Sequence, residues 1–567
     1  MKQIFLSLLL LGMMPDVHAQ VQFTKVIDPD NPATTFDNVG GAYKGVGWID
    51  LDDDNYTDLF VNPHFLFRNL GNGNFEQLEN LAGAGTTGAS GVSWGDLNND
   101  GFPDVITSSA QAAIHLNNGD QTFDANAITL PGFGTYAAWD CALVDADNNG
   151  LLDVLYVHAR NFHPIGPFPC KFYLQTSPGV YTAATGYEFT DTIAPYTIPV
   201  WADYDLDGDM DLFIGSGPAG VQGPDYCYKN ELIETGSFSL TRLTDAPFDQ
   251  LQDGQTYNFP DVDNDGDLDI CLTNYNGAKN RYWIQEPAGV YTLTQAPFSL
   301  IGGHLSNVWG DVDNDGDLDM LLSSDGNTLV RLYKNNGDGS FEPPKQAGFS
   351  DAGVCAIALA DYDNDGDLDF YTNGIGSSRA LFRNDDLAEN RNWAAFKLQG
   401  TVSNRSAIGA TLRLKADLGA GSVWQVRQVT AHNTFGGHSD LRQHFGLNLA
   451  TIIDSVIVRW PSGLMEYFTD LNPNNFYKLV EGNGISIITK AEAPIQKTEV
   501  RVYPNPTSGM LLIETENTPQ GKWKIFDQTG NLMQEGSGSK ADVSQLPAGK
   551  YIIQLGGVKR VVPFIKI

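Results

Sequence analysis

The sequence predicts an all-β protein whose largest part is a seven-bladed β-propeller. Three observations lead there: a nine-residue acidic pattern that recurs seven times, strand-like runs on both sides of each copy, and many turn formers, with 60 Gly and 28 Pro in 567 residues. Repeats of about 40–50 residues mark propeller blades or solenoids, and the strand patterning excludes a helical solenoid. With 42% hydrophobic and 18% charged residues, the chain is neither disordered nor a coiled coil. A formal charge of −35 excludes binding to a nucleic-acid backbone, which needs basic patches.

The pattern reads Asp-x-Asp-x-Asp-Gly-x-x-Asp and begins at residues 50, 96, 145, 203, 261, 311 and 361. Candidate metal ligands stand at its positions one, three, five and nine. In the four full copies these are Asp203, Asp205, Asp207 and Asp211; Asp261, Asp263, Asp265 and Asp269; Asp311, Asp313, Asp315 and Asp319; and Asp361, Asp363, Asp365 and Asp369. The three earlier copies are looser. Asp50, Asp52, Asp54 and Asp58 surround Asn55 in the glycine position, which Asn tolerates in a left-handed turn. Asp96, Asn98, Asp100 and Asp104 include one amide, and so do Asp145, Asp147, Asn149 and Asp153.

Alternate side chains of such a loop converge on one point if the backbone wraps around it, and glycine at position six permits the turn. Hard oxygen ligands in a flexible loop select Ca²⁺ over zinc or copper, so up to seven Ca²⁺ ions are expected. Carboxylates packed together without a cation would repel strongly. These are not EF-hands, because position 12 is Val61, Thr107, Leu322 or Thr372 where an EF-hand needs a bidentate Glu. The seven loops hold 31 of the 69 acidic residues, so seven divalent ions would take −35 to −21. By charge alone, loops four to seven should hold ions best.

Strand runs such as Ser93-Trp94-Gly95 and Val308-Trp309-Gly310 precede the loops, and apolar runs such as Asp104-Val-Ile-Thr107 follow. A second hairpin comes next, as in Ile114–Phe123 and Leu332–Phe341, giving four strands per repeat. The fourth strand opens with an aromatic: Phe75, Phe123, Tyr181, Phe238, Tyr291 or Phe341. The seventh repeat ends at Leu381–Asn384 without one, whereas Phe23 has no blade before it. The strand at Phe23 should therefore complete the seventh blade and leave no open edge. On these residues the repeats resemble the FG-GAP/VCBS family over residues 20–390. The resemblance implies a seven-bladed propeller with Ca²⁺ between the first two strands of a blade.

Residues 391–485 lose the acidic loops and alternate as half-buried strands, for example Val456-Ile-Val-Arg-Trp460. Asn404-Arg405, Ile408-Gly409-Ala410, His444-Phe445-Gly446-Leu447 and Trp460-Pro461-Ser462-Gly463 resemble the ASPIC/UnbV domain of cartilage acidic protein-like chains, a family that lends no established chemistry. His432, His438 and His444 fit no zinc spacing and read as satisfied or exposed histidines. A linker over 486–500 leads to a small β-sandwich over 501–567. Val502-Tyr-Pro-Asn-Pro-Thr-Ser-Gly509, Lys524–Gly530 and Leu546–Ile553 resemble the C-terminal sorting domain of type IX secretion cargo, found in Bacteroidota. That resemblance implies the type IX machinery as a partner and a surface or secreted location.

At the other end, Lys2, the apolar run Ile4–Met14 and Val17-His18-Ala19 read as a signal peptide over residues 1–19, too short to span a membrane. Cys141, Cys170, Cys227, Cys271 and Cys355 are few and scattered, as expected of small buried hydrophobes. No catalytic residues are assigned, because nucleophile-elbow, zincin, P-loop and dinucleotide motifs are missing. The reading is an exported calcium-binding adhesion module for a glycan or protein; the alternative is a calcium-dependent polysaccharide lyase or hydrolase. Ligand binding is expected on the face opposite the acidic loops, at the long connections 158–168 and 215–225. The candidate ligand residues are Arg160, Phe162, His163, Phe168, Tyr275 and Asn276.

Overall fold

A computed structural model describes residues 21–35, 43–78, 91–108, 112–124, 128, 130–134, 136–160, 166–217, 223–275, 278–344, 349, 352–375, 378–385, 391–488, 500–503, 506–515, 522–527, 532–555 and 561–567. The expected signal peptide lies outside them. The fold is all-β, in two units, Met1–Thr489 and Lys490–Ile567.

In the first unit seven antiparallel sheets follow one another along the chain. The strands that lead into the acidic loops are Val46–Ile49, Val92–Gly95, Asp140–Val144, Pro199–Ala202, Gly254–Asn258, Asn307–Gly310 and Ala352–Ala360. Each lies beside the next, and the last packs against the first. These strands are buried on both faces, which is why they read as apolar runs rather than alternating ones; Trp48 and Trp94 are fully enclosed.

The acidic nonapeptide is the connection between the first two strands of a sheet. In sheet one the register runs from Val46↔Val61 to Ile49↔Asp58, and the other sheets close likewise at Gly95↔Asp104 and Ala360↔Asp369. Phe23–Lys25 pairs with Ala380–Asn384 through Phe23↔Asn384, completing the seventh sheet as expected. Sheets seven and six both depart from the four-strand plan: Ser324–Leu329 pairs with Ala352–Ala360 and gives sheet seven five strands, and sheet six loses one. Sheet six has three strands, and the strand expected at Phe341 is reduced to one bridge with Asn335.

Strands of residues 392–487 form two further four-stranded sheets. One orders Gln443–Asn448, Asn392–Gln399, Asn475–Val480 and Gly484–Ile487. The other orders Ser422–Gln428, Thr411–Asp417, Ile453–Arg459 and Met465–Leu471. Their core of Phe396, Leu412, Phe445, Val456 and Trp460 is continuous with that of sheets two and three. The second unit has its own sheets around Leu511, Trp523, Ile525, Tyr551 and Phe564. All five cysteines are buried free thiols. Among the described residues no helix is long and apolar enough to cross a membrane.

Candidate functional site

Each acidic loop is wound by its own carboxylates. The aspartate at position one accepts the backbone N–H of position six, and in loops one, two, three, six and seven that of position five as well: Asp315 N and Gly316 N lie 3.1 and 2.7 Å from the two oxygens of Asp311. Position six takes φ between 85° and 107° in six loops and 70° at Asn55, a region that suits Gly and, less well, Asn. The aspartate at position nine is buried and acts as a buckle. One oxygen of Asp58 accepts Leu51 N at 2.9 Å, and the other accepts Asn69 N from the third strand at 2.7 Å.

Carboxylate oxygens converge within 4.8 Å in Asp50–Asp52–Asp58, Asp203–Asp205–Asp211, Asp261–Asp263–Asp265 and Asp311–Asp313–Asp315. Several of these oxygens are buried with no hydrogen-bond donor, among them Asp52 Oδ1, Asp147 Oδ1, Asp203 Oδ1, Asp261 Oδ2, Asp313 Oδ1 and Asp363 Oδ1. Orphaned buried anionic oxygens are costly, and a hard cation satisfies them, so the donor set fits Ca²⁺. Without an ion the carboxyls are driven toward the neutral form. Burial pushes Asp96, Asp145 and Asp261 up to about 7 and Asp104, Asp269 and Asp315 up to about 8, with neighbouring aspartates adding to the rise.

The loops are also joined to one another. Position four is left-handed in every loop, and where it is Asn its amide donates to the position-six carbonyl of the following loop. Asn99 reaches Gly150, Asn148 reaches Gly208, Asn264 reaches Gly316, Asn314 reaches Gly366, and Asn364 returns to Asn55, at 2.9–3.2 Å. Asp53 and Leu206 take that place in loops one and four. The amides ending the third strands add further cross-ties, such as Asn69 Nδ2 to Tyr362 O at 2.7 Å and Asn230 Nδ2 to Ala146 O at 2.8 Å.

The 391–487 strands sit directly on this loop face, and every loop receives a contact. Lys397 Nζ lies 2.6 Å from Asp50 Oδ2. Arg405 N donates to Asn99 Oδ1 at 3.0 Å, and Asn404 Nδ2 to Asp145 Oδ2 at 3.3 Å. Arg459 donates to Leu206 O at 2.8 Å, and Arg413 to Gly266 O at 3.0 Å. Arg391 donates to Asp313 O at 2.6 Å, and Arg442 to Asp361 O at 2.7 Å. The basic residues of this region thus face the acid of the loops.

From the same strands the hairpin of residues 430–440 runs in against the first strands of sheets one and two and against sheets six and seven. Gly436 O accepts Val92 N at 3.1 Å, His438 N donates to Val46 O at 3.2 Å, and Leu359 N donates to Ser439 Oγ at 3.0 Å. Ser306 Oγ is 2.5 Å from Thr434 Oγ1. Near the tip, the Phe435 ring packs on Tyr43 and Trp139. A Cβ on Gly45 would strike the Gly436 carbonyl, so glycine is what permits this approach. The three histidines are therefore not exposed. His432 Nε2 is 3.1 Å from Asp140 Oδ1, His438 Nδ1 is 2.8 Å from Ser439 O and His444 Nε2 is 3.0 Å from Gly366 O; the other ring nitrogen of each is buried without a partner. Sequence reasoning missed the hairpin, which carries no repeat signal.

On the opposite rim, Arg160 is exposed and Tyr275 is half-buried. Phe168 leans on Tyr136 and His158, with ring centroids 5.5 and 5.3 Å away. Phe162, His163 and Asn276 lie outside the described residues. Sequence reasoning also passed over two buried carboxyls there. Asp225 accepts Ser216 N at 2.8 Å and Tyr257 Oη at 2.7 Å, whereas Asp253 Oδ1 has no donor. Burial pushes both up to about 6, and the charge of Asp225 adds to the rise at Asp253.

Family models match three regions: FG-GAP-like repeat at residues 50–107, 261–322 and 311–372; ASPIC and UnbV at 400–486; and a secretion system C-terminal sorting domain at 501–563. No curated protein matches the chain. Among solved structures it is similar to an Agrocybe aegerita protein that recognises non-reducing terminal N-acetylglucosamine, with TM-score 0.39 and 16% identity over 64% of this chain and 94% of that one. It is similar to the exotype rhamnogalacturonan lyase YesX, with TM-score 0.31 and 13% identity over 79% and 87%. A third likeness is to the extracellular domain of the putative hybrid two component system BT3049 from B. thetaiotaomicron, with TM-score 0.38 and 10% identity over 97% and 73%. The sorting domain directs export through the type IX system, to the cell surface or into the medium. The chain is thus an exported protein of FG-GAP-like repeats followed by an ASPIC and UnbV domain and a secretion system C-terminal sorting domain.

Proposed function

We propose that the protein is a calcium-binding adhesion or binding module, working at the cell surface or after secretion on a glycan or protein ligand. In this reading its seven sheets form a closed propeller that Ca²⁺ stabilises. The observation that carries the choice of binding face is the cover on the other one. The 391–487 strands occupy the acidic-loop rim and their hairpin fills the axis, so the rim that bears Arg160 and Tyr275 is the face left for a ligand. Rigid scaffolds commonly carry ligands on such connecting loops. The test is a glycan array and cell-binding assay with the calcium-loaded protein, comparing wild type with Arg160→Ala/Phe162→Ala. Lost binding with an unchanged melting temperature supports the reading; unchanged binding moves the site elsewhere.

A second reading, a polysaccharide-acting enzyme, is favoured by one observation: Asp225 and Asp253 on that rim have the raised pKa values a general acid uses. Cleavage or elimination products from acidic and neutral polysaccharides, abolished by Asp253→Asn, would establish it.

A further inference from the structure

Loops five and six are the same nonapeptide, Asp-Val-Asp-Asn-Asp-Gly-Asp-Leu-Asp, at 261–269 and 311–319. Their surroundings differ. The third strand passes each loop at one register: Gln285 N donates to Asp269 Oδ1 at 2.9 Å, and Asn335 N to Asp319 Oδ1 at 2.8 Å. The residue just before is Ile284 in one case and Lys334 in the other. The Lys334 ammonium pairs with Asp313 and lies 2.8 Å from Asp315 Oδ2, and Arg391 Nη1 lies 2.9 Å from Asp313 Oδ2. Among the described residues no lysine or arginine pairs with Asp261, Asp263 or Asp265, and Asp261 Oδ2 is buried with no donor at all.

The same position sorts the other loops. It is Arg68, Lys229 and Arg383 in loops one, four and seven, and Leu116 and Leu174 in loops two and three. Arg68 Nε is 3.1 Å from Asp52, and Lys229 Nζ is 2.5 Å from Asp205 and 3.2 Å from Asp207.

We propose that this third-strand residue grades calcium occupancy, making loop five the tight site and loops four and six late-filling ones. The inference rests on the calcium reading above. In loops four and six a tethered ammonium already neutralises the ligand carboxylates, and an entering Ca²⁺ must displace it against like-charge repulsion. Under Ile284 no tethered ammonium competes, the Arg427 guanidinium bears on Asp261 and Asp311 alike, and all four ligand positions of loop five are aspartates.

The test is calorimetric Ca²⁺ titration of the full chain, wild type against Lys334→Met and Ile284→Lys, with melting temperatures in calcium and in chelator. Lys334→Met should tighten one site about tenfold, and Ile284→Lys should weaken the tightest site to a similar degree. Lys334→Met should also melt below wild type in chelator, where the counter-charge is lost, and above it in saturating calcium. That inversion of sign is one a merely structural lysine would not produce. Unchanged isotherms in Lys334→Met, or melting shifts of one sign in both conditions, overturn the inference. A wild-type chain that takes up no Ca²⁺ overturns the calcium reading itself, and the wild-type isotherm alone distinguishes that failure.

Discussion

The acidic loops and the 430–440 hairpin both tie neighbouring sheets together, but by opposite means. The loops concentrate negative charge at one rim, with carboxylate oxygens left without donors and pKa values pushed upward by burial. The hairpin is joined to the strands that lead into the loops by backbone hydrogen bonds and by the Phe435 ring, which is 1% exposed. On the proposed reading, cohesion at the rim depends on calcium, whereas the hairpin's backbone hydrogen bonds do not.

The largest expected effect separates the two regions directly. A ligand held at one hundred times its Kd stabilises by about 2.7 kcal/mol per site, so chelating several loaded loops should lower the melting temperature by far more than any point substitution. Scanning calorimetry with and without chelator reads this, and an unchanged melt would remove calcium from the account. Next in size is Phe435→Ala, expected to cost about 3–5 kcal/mol, as large aromatic truncations in cores do. On the proposed reading the hairpin does not depend on the ions, so that loss should be equal in calcium and in chelator. A loss confined to one condition would break the distinction between rim and hairpin.

The pH dependence follows from the sign of the shifts. Carboxyls held near 7 or 8 in the folded, metal-free loops bind more protons than in the unfolded chain, where their pKa is about 4. Their contribution is fully present below about pH 4 and is lost as pH rises through 7 to 8. In chelator the melting temperature should therefore fall between pH 5 and pH 8, and saturating calcium should abolish the fall. The smallest effect sharpens the picture of joined loops. Asn364→Ala removes the tie from loop seven to loop one and should cost about 1 kcal/mol, read as a small drop in melting temperature in calcium and in chelator alike.

Repetition decided what could be read from the residues. Seven copies of one pattern placed the loops between the first two strands, and the break in phase at Phe23 placed that segment beside Asn384. The position-four asparagines were visible too, at 99, 148, 264, 314 and 364, but a left-handed turn accounts for Asn there without any partner, so the ties between loops stayed hidden. The hairpin occurs once. Residues such as Thr434, Gly436 and His438 have no period of their own and acquire meaning only against Ser306, Val92 and Val46, more than one hundred residues earlier. Arg391 and Lys397 likewise have no partner in the sequence pattern, and the fold sets them on the acidic loops.

The most direct test of calcium at the loops is the titration of loops five and six against each other. Calorimetry of the full chain should find a tight Ca²⁺ site that disappears in Asp263→Asn and persists in Asp313→Asn. Loss of the tight site in Asp313→Asn but not in Asp263→Asn, or no calcium-dependent heat in any of the three proteins, would contradict the account.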